Sequence, residues 1–291
     1  MKANFGHQWP AWHNGKFCQV KDLHIPINDL GFLRSQAVYE VLAIRHNRLM
    51  AFEQHMQRFL EGCRHYFIGL NYQSQDILDV ITNFNDKLKT NFQVWVIATR
   101  GESASHTFSD MLRAESQLMV FALPWSDVNQ GNPIRCAIAK KVRRIPDGSI
   151  NQCYKNFARH DFTVAQIETQ IKGYDSALLL DHSDCITEGP QFSVAMIKNQ
   201  KVLSPSRNRL SGITMQIVQN LCQLNDTGFE YTDITEQLLK SADDVFATTT
   251  AGGIIPIACI DDVEFMVSDL QSKIKQWYQQ SWMQNRFCID I

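Results

Sequence analysis

Between Lys155 and Ile197 the chain carries a lysine ahead of a helical pattern, an apolar strand at Ala177–Leu180, the tetrapeptide Thr187-Glu188-Gly189-Pro190 and a second strand at Ser193–Ile197. A lone amine and a lone carboxylate on neighbouring elements of one core layer have the chemistry to grip a pyridine-type ring from opposite ends. An amine that condenses with an aldehyde must spend time deprotonated, which desolvation promotes, and it can afterwards carry a proton. A carboxylate set against a ring nitrogen keeps that nitrogen protonated. Each residue also has a plain reading, Lys155 as a solvated cation before a helix and Glu188 as a turn residue before Gly189-Pro190.

Two further stretches have the build of anion sites. Gly212-Ile213-Thr214 follows Ser211, the expected N-cap of a helix whose apolar face includes Ile213, Ile217 and Leu221, and Thr249-Thr250-Ala251 precedes Gly252-Gly253. Backbone N–H groups, hydroxyls and the positive end of a helix dipole together suit phosphate, although two ordinary caps would look the same. A substrate carboxylate calls for an arginine or a set of fixed donors. Arg34, Arg45, Arg100 and Arg143 are the candidates, and the sequence does not choose among them.

These residues need elements to position them. Val38–Ile44 alternates as a strand with Tyr39, Val41, Ala43 and Arg45 on one face, and Asn47-Arg48 suggests a hairpin turn. Helices are predicted over Phe52–Phe67 and Ser74–Lys89, with buried strands at Phe92–Ala98 and Leu118–Leu123. The polar, turn-forming stretch Pro124–Pro133 suggests a linker. Beyond it a strand at Ile134–Ala139 leads into a basic stretch, Lys140–Arg144. Ala158, Phe162 and Ala165 then fall at helical spacing, which puts Lys155 just before a helix that stops by Gly173. Asn199-Gln200 should turn into Lys201–Leu203, and Ser268–Met283 should form a closing helix.

Composition bounds the possibilities. The 291 residues are 44% hydrophobic and the formal charge is -2, from 28 basic and 30 acidic side chains. No basic excess marks a nucleic-acid or anionic-membrane surface, so a small molecule or a second copy is the expected partner. The eight cysteines form no C-x-x-C pair and read as reduced thiols, and residues 1–20 show no apolar run of the signal-peptide kind. A cytoplasmic enzyme is the expectation.

Five ordered blocks resemble the class IV (fold type IV) pyridoxal-phosphate aminotransferases, which include branched-chain, D-amino-acid and (R)-amine transaminases. The blocks are Val38-Tyr39-Glu40; His55-Met56-Gln57-Arg58; Lys155 with its helix; Thr187-Glu188-Gly189-Pro190; and Leu210-Ser211-Gly212-Ile213-Thr214 followed by Thr248-Thr249-Thr250-Ala251-Gly252-Gly253. The resemblance implies an α/β (α+β) protein of two domains. A small N-terminal α/β domain would span 1–124, a linker 125–133, and a larger domain with a β-barrel-like core 134–291, with the cofactor between the domains. It implies pyridoxal 5'-phosphate held as a Schiff base by Lys155, Glu188 at the pyridine nitrogen, and a phosphate held by Arg58, Gly212, Ile213, Thr214, Thr249 and Thr250. Tyr39, Arg34, Arg100 and Ala251 would face the substrate, and the protein would be a homodimer acting on an amino donor and a keto-acid acceptor in two half-reactions. Without the resemblance, Arg58 reads as a solvated residue on an amphipathic helix and Tyr39 as packing.

Two departures bear on specificity. After Thr99-Arg100-Gly101, Ser105 stands where the D-amino-acid enzymes carry an arginine, and His106 is shifted in register. Lys155-Asn156 and Glu188-Gly189-Pro190 with Phe192 look more like the (R)-amine branch, whereas Val38-Tyr39-Glu40 is closer to the amino-acid enzymes. A lyase of the same fold, similar to aminodeoxychorismate lyase, and a non-catalytic cofactor-binding relative are the alternatives to a transaminase.

Overall fold

The computed structural model describes residues 6–105, 108–125 and 132–291, and the side chain of Asp110 lies outside that set. Most of the expected linker and His106 therefore fall outside the described residues. The chain divides into two compact units: Met1–Ser126 with Tyr154–Ala158 and Phe287–Ile291, and Asp127–Cys153 with Arg159–Arg286.

The first unit is built on β1 (Pro10–His13), β2 (Lys16–Gln19), β3 (Ala37–Arg45), β4 (Arg48–Met50), β5 (Phe92–Thr99), β6 (Gln117–Pro124) and a C-terminal strand, Cys288–Asp290. They form one seven-stranded antiparallel sheet in the order C-terminal strand, β4, β3, β5, β6, β1, β2. Its helices are α1 (Leu30–Arg34), α2 (Phe52–His65) and α3 (Ser74–Leu88). The period-two residues Val38, Leu42 and Ile44 of β3 join Val94, Val96 and Ala98 of β5 in one core with Phe52, Met56, Phe59 and Cys63 of α2 and Ile77, Ile81 and Phe84 of α3. The β3–β4 turn is His46-Asn47, one residue earlier than expected. Both residues take positive φ, 51° and 58°, as a two-residue hairpin turn that matches strand twist demands. The C-terminal strand was not legible in the sequence because three residues carry no periodicity.

The second unit holds β7 (Ile134–Ile138), β8 (Ser176–Leu178), β9 (Glu188–Gly189), β10 (Phe192–Lys198), β11 (Lys201–Pro205), β12 (Phe229–Thr232), β13 (Asp244–Thr249), β14 (Gly253–Ile260) and β15 (Val263–Glu264). The sheet runs β12-β11-β10-β13-β14-β7-β8, with β9 paired to β10 and β15 to β14. Helices α4 (His160–Ile171), α5 (Ile213–Leu224), α6 (Glu236–Lys240) and α7 (Asp269–Met283) complete it.

Two expected helix starts need correction. Helix α4 begins at His160, not at Ala158, whose N–H is taken at 3.0 Å by the Asn156 side chain. The N-cap of α5 is Gly212, not Ser211, whose Oγ instead accepts from the Gln216 side chain at 3.1 Å. Among the described residues no helix is long and apolar enough to cross a membrane, and no cluster of metal-ligating side chains occurs. None of the eight cysteines forms a disulfide.

Candidate active site

In the first unit, Lys155 lies on an extended segment bridged to β3, five residues before α4. The Tyr39 N–H donates to the Lys155 carbonyl at 2.9 Å, and the Phe157 N–H donates to the Ala37 carbonyl at 3.2 Å. Asn156 pairs with Val38 as an isolated bridge between these two bonds. The lysine backbone is thus fixed against the strand that carries Tyr39. Its Nζ stands 4.6 Å from the centre of the Tyr39 ring, which itself stacks on Trp95 at 5.5 Å and meets Phe157 edge-on.

The other face of β3 carries Glu40, fully buried in line with Val38, Leu42 and Ile44. A carboxylate there requires partners. Helix α2 brings them: Arg58 donates through Nε to Oε1 at 2.6 Å and through Nη2 to Oε2 at 2.8 Å, and His55 Nδ1 meets Oε2 at 2.8 Å. Burial pushes the Glu40 carboxyl up, but Arg58 and His55 outweigh it and hold it at about 2. His55 is held below its ordinary range, by burial first and by the nearby charges of Arg58 and Lys155, with Glu40 opposing. Glu40 and His55 both belong to recognised sequence blocks, but their pairing with Arg58 was missed. The signal available was a carboxylate at a core position of an alternating strand.

In the second unit, Glu188 on β9 is opposite Ser193 of β10, which is opposite Thr248 of β13. Directly opposed residues share a face, so carboxylate and two hydroxyls stand in one row. Glu188 Oε1 accepts from Arg144 Nε at 3.3 Å, Arg144 Nη2 at 3.1 Å and the Leu210 N–H at 3.0 Å, while Oε2 accepts no hydrogen bond among the described residues. Arg144, fully buried, also donates through Nη1 to Asp161 at 2.5 Å and through Nη2 to the Gln152 side chain. Within the basic stretch Lys140–Arg144, sequence reasoning did not distinguish this arginine from its solvated neighbours. Gly212 lies over the row: a Cβ on it would come within 2.5 Å of Ser193 Oγ. Helix α5 starts there without a side-chain cap, with Ile213 and Thr214 buried. Thr248 Oγ1 is buried and has no hydrogen-bond partner among the described residues. Thr249, Thr250 and Ala251 follow it, half-buried at the turn into β14.

The candidate substrate arginines are dispersed. Arg100 is buried, and its guanidinium donates to the Gln36 side chain at 3.0 Å and to the Phe67 and Tyr66 carbonyls at 2.9 and 2.5 Å. It pins the chain just after α2. Arg34 is exposed at the end of α1 with its guanidinium 4.5 Å from the Phe108 ring, Arg45 lies 4.2 Å from the Trp125 ring, and Arg143 pairs with Asp184 at 2.6 Å.

Each set, taken by itself, has the chemistry to hold part of an aldehyde-bearing pyridine phosphate. The row in the second unit offers an unengaged carboxylate oxygen for a ring N–H and an unpartnered hydroxyl beside an uncapped helix start for an anion. The first unit offers an amine on a fixed backbone.

A sequence profile of class IV aminotransferases matches residues 37–260. D-alanine aminotransferase of Staphylococcus epidermidis is 24% identical over 85% of this chain and 88% of its own. The branched-chain aminotransferase of the archaeon Thermoproteus uzoniensis, solved with norvaline, superposes with a TM-score of 0.90 over 97% of this chain and 98% of that one at 17% identity. A Legionella pneumophila protein provisionally called a 4-amino-4-deoxychorismate lyase gives 0.82 over 90% and 96% at 20% identity. With the profile spanning both units and every block of residues described above, the chain belongs to the class IV aminotransferases, a family of pyridoxal 5'-phosphate enzymes.

Proposed function

We propose that this enzyme is a transaminase that moves an amino group between an amino acid or (R)-amine and a 2-keto acid. The observation that carries the reading is Glu188, whose Oε1 is anchored by three donors while Oε2 keeps its acceptor capacity. When bound, pyridoxal phosphate supplies an electron-withdrawing ring that takes up the electron pair left as the substrate Cα loses its proton. Glu188 serves that ring by keeping its nitrogen protonated. Lys155 would hold the cofactor covalently through its Nζ, and the same amine would serve as the group that takes up and returns the substrate proton. Arg58 supplies the cation for the phosphate; Gly212, Ile213 and Thr214 supply the helix start, and Thr249 and Thr250 their hydroxyls.

Tyr39 and Ala251 line the substrate side. Arg34 is a better-supported carboxylate partner than Arg100, because a ligand would have to displace the carbonyls that Arg100 already binds. A cytoplasmic setting is consistent with eight cysteines that form no disulfide. Exposed Phe32, Phe67, Phe108 and Leu112 on the first unit support a homodimer, which light scattering tests directly.

Borohydride reduction of the holoenzyme followed by peptide mapping should place the adduct on Lys155. Glu188→Gln should keep the fold and that adduct but slow amino transfer about 100-fold or more, given the usual worth of one group aimed at developing charge. An adduct elsewhere, or full activity in Glu188→Gln, refutes the assignment. The likeness to the Legionella protein supports one second reading, a lyase. Pyruvate release without a keto-acid acceptor distinguishes it.

A further inference from the structure

A closed circuit of hydrogen bonds in the second unit joins Glu188 to the loop that leads into α5. From Glu188 Oε1 the circuit passes to Arg144, whose Nη2 donates to the Gln152 side chain. The Gln152 N–H donates to Asp147 Oδ1 at 3.0 Å. Asp147 and Asn208 then bind each other reciprocally: the Asp147 N–H donates to Asn208 Oδ1 at 3.0 Å, and the Asn208 N–H donates to Asp147 Oδ2 at 3.0 Å. Asn208 Nδ2 donates to the buried Asp181 at 3.0 Å. Two residues further on, the Leu210 N–H closes the circuit on Glu188 Oε1.

We infer that Asn208 and Asp147 are positioning residues: they fix the 208–212 loop, and through it both the Glu188 carboxylate and the uncapped start of α5. Neither stands among the groups assigned to the cofactor. A loop that donates Leu210 N–H to Glu188 and sets Gly212 over Ser193 needs an anchor other than these two contacts, and the reciprocal Asn208–Asp147 pair supplies one two residues upstream. Asn208 suits the position because it takes a left-handed φ of 51°, which asparagine tolerates.

The inference rests on the assignment of Glu188 to the cofactor ring, and the test separates the two. Asn208→Gly removes both side-chain links while keeping a residue at ease with positive φ, so backbone strain does not confound it. Asp147→Asn is the second variant, since an amide cannot accept from both N–H groups that the carboxylate serves. In the holoproteins, the pH-dependent absorbance of bound pyridoxal phosphate and its dissociation constant are measured together with the melting temperature. Both variants should displace the absorbance titration in the same direction as Glu188→Gln and raise the dissociation constant about tenfold, as the loss of about one positioned hydrogen bond predicts. A lowered melting temperature with an unmoved absorbance titration and affinity overturns the positioning role. An unmoved titration in Glu188→Gln itself instead overturns the assignment of Glu188.

Discussion

Replacing Glu40 by glutamine keeps the shape of a fully buried side chain and removes its charge, which takes from the buried Arg58 the carboxylate that it grips through two bonds. The carboxyl ionises at about 2 in the folded chain against 4.5 ordinarily, a difference of about 3 kcal/mol at roughly 1.4 kcal/mol per pH unit. Removing one partner of a buried ion pair costs a comparable ~3–5 kcal/mol. Because the folded value is depressed, this stability is complete above the unfolded value and drains away as pH falls toward the folded one. About 2 kcal/mol of it should be gone by pH 3. Urea denaturation of the wild type and Glu40→Gln at pH 7 and pH 3 measures both quantities, and comparing the two proteins cancels the titration of other carboxylates. A destabilisation below about 1 kcal/mol at pH 7, or a gap of equal size at both pH values, would show that the cluster is not the tight buried ion pair its distances describe.

Other outcomes follow from the same geometry. Arg144→Ala should destabilise by about 3–5 kcal/mol in thermal or chemical denaturation, because Asp161 and Glu188 become unpaired buried carboxylates; Arg144→Lys should recover only part, since an ammonium cannot span the same acceptors. Arg100→Ala should lower stability by about 2 kcal/mol through the Tyr66 and Phe67 carbonyls while leaving the ratio of kcat/KM for amino-acid and amine donors unchanged; a selective loss for amino acids would restore Arg100 as a carboxylate partner. Replacing Glu40, His55 and Arg58 together by apolar residues of similar volume should cost less stability than Glu40→Gln alone, yet abolish the preference for pyridoxal phosphate over pyridoxal in equilibrium binding.

What the sequence could reveal depended on how local each signal was. Helices α2, α3 and α7 and strands β3, β5, β6 and β10 follow from hydrophobic period and lie close to their expected bounds. Glu40 was half-legible: the alternation Val38, Glu40, Leu42, Ile44 puts a carboxylate in a core row, and His55 and Arg58 recur three residues apart on the next helix, yet only the fold brings them to it. Arg144 was not legible. Its partners Gln152, Asp161 and Glu188 lie 8, 17 and 44 positions away, and nothing local separates it from Lys140, Lys141 and Arg143. Lys155 looked like a helix-mouth residue because Ala158, Phe162 and Ala165 share a helical spacing. The segment is extended instead because β3 offers it backbone partners, which no local pattern records.

Each unit therefore buries an arginine against carboxylate, Arg58 on Glu40 and Arg144 on Asp161 and Glu188, and stability alone is a weak reason to do so. A well-packed apolar replacement of a buried ion pair is often neutral or better. What such a cluster supplies is direction: Arg58 is gripped in the plane of Glu40 by two parallel bonds, and Glu188 is gripped by one oxygen only. The asymmetry at Glu188 is the informative part. Three donors crowd Oε1, and Thr248 Oγ1, two strands away in the same row, is likewise left without a partner among the described residues. A sheet evolved for packing alone would satisfy these groups or replace them with apolar ones. For the proposed function, a row that is to receive a charged heterocycle has to keep acceptor and donor capacity for that ring while Glu188 is held by its other oxygen.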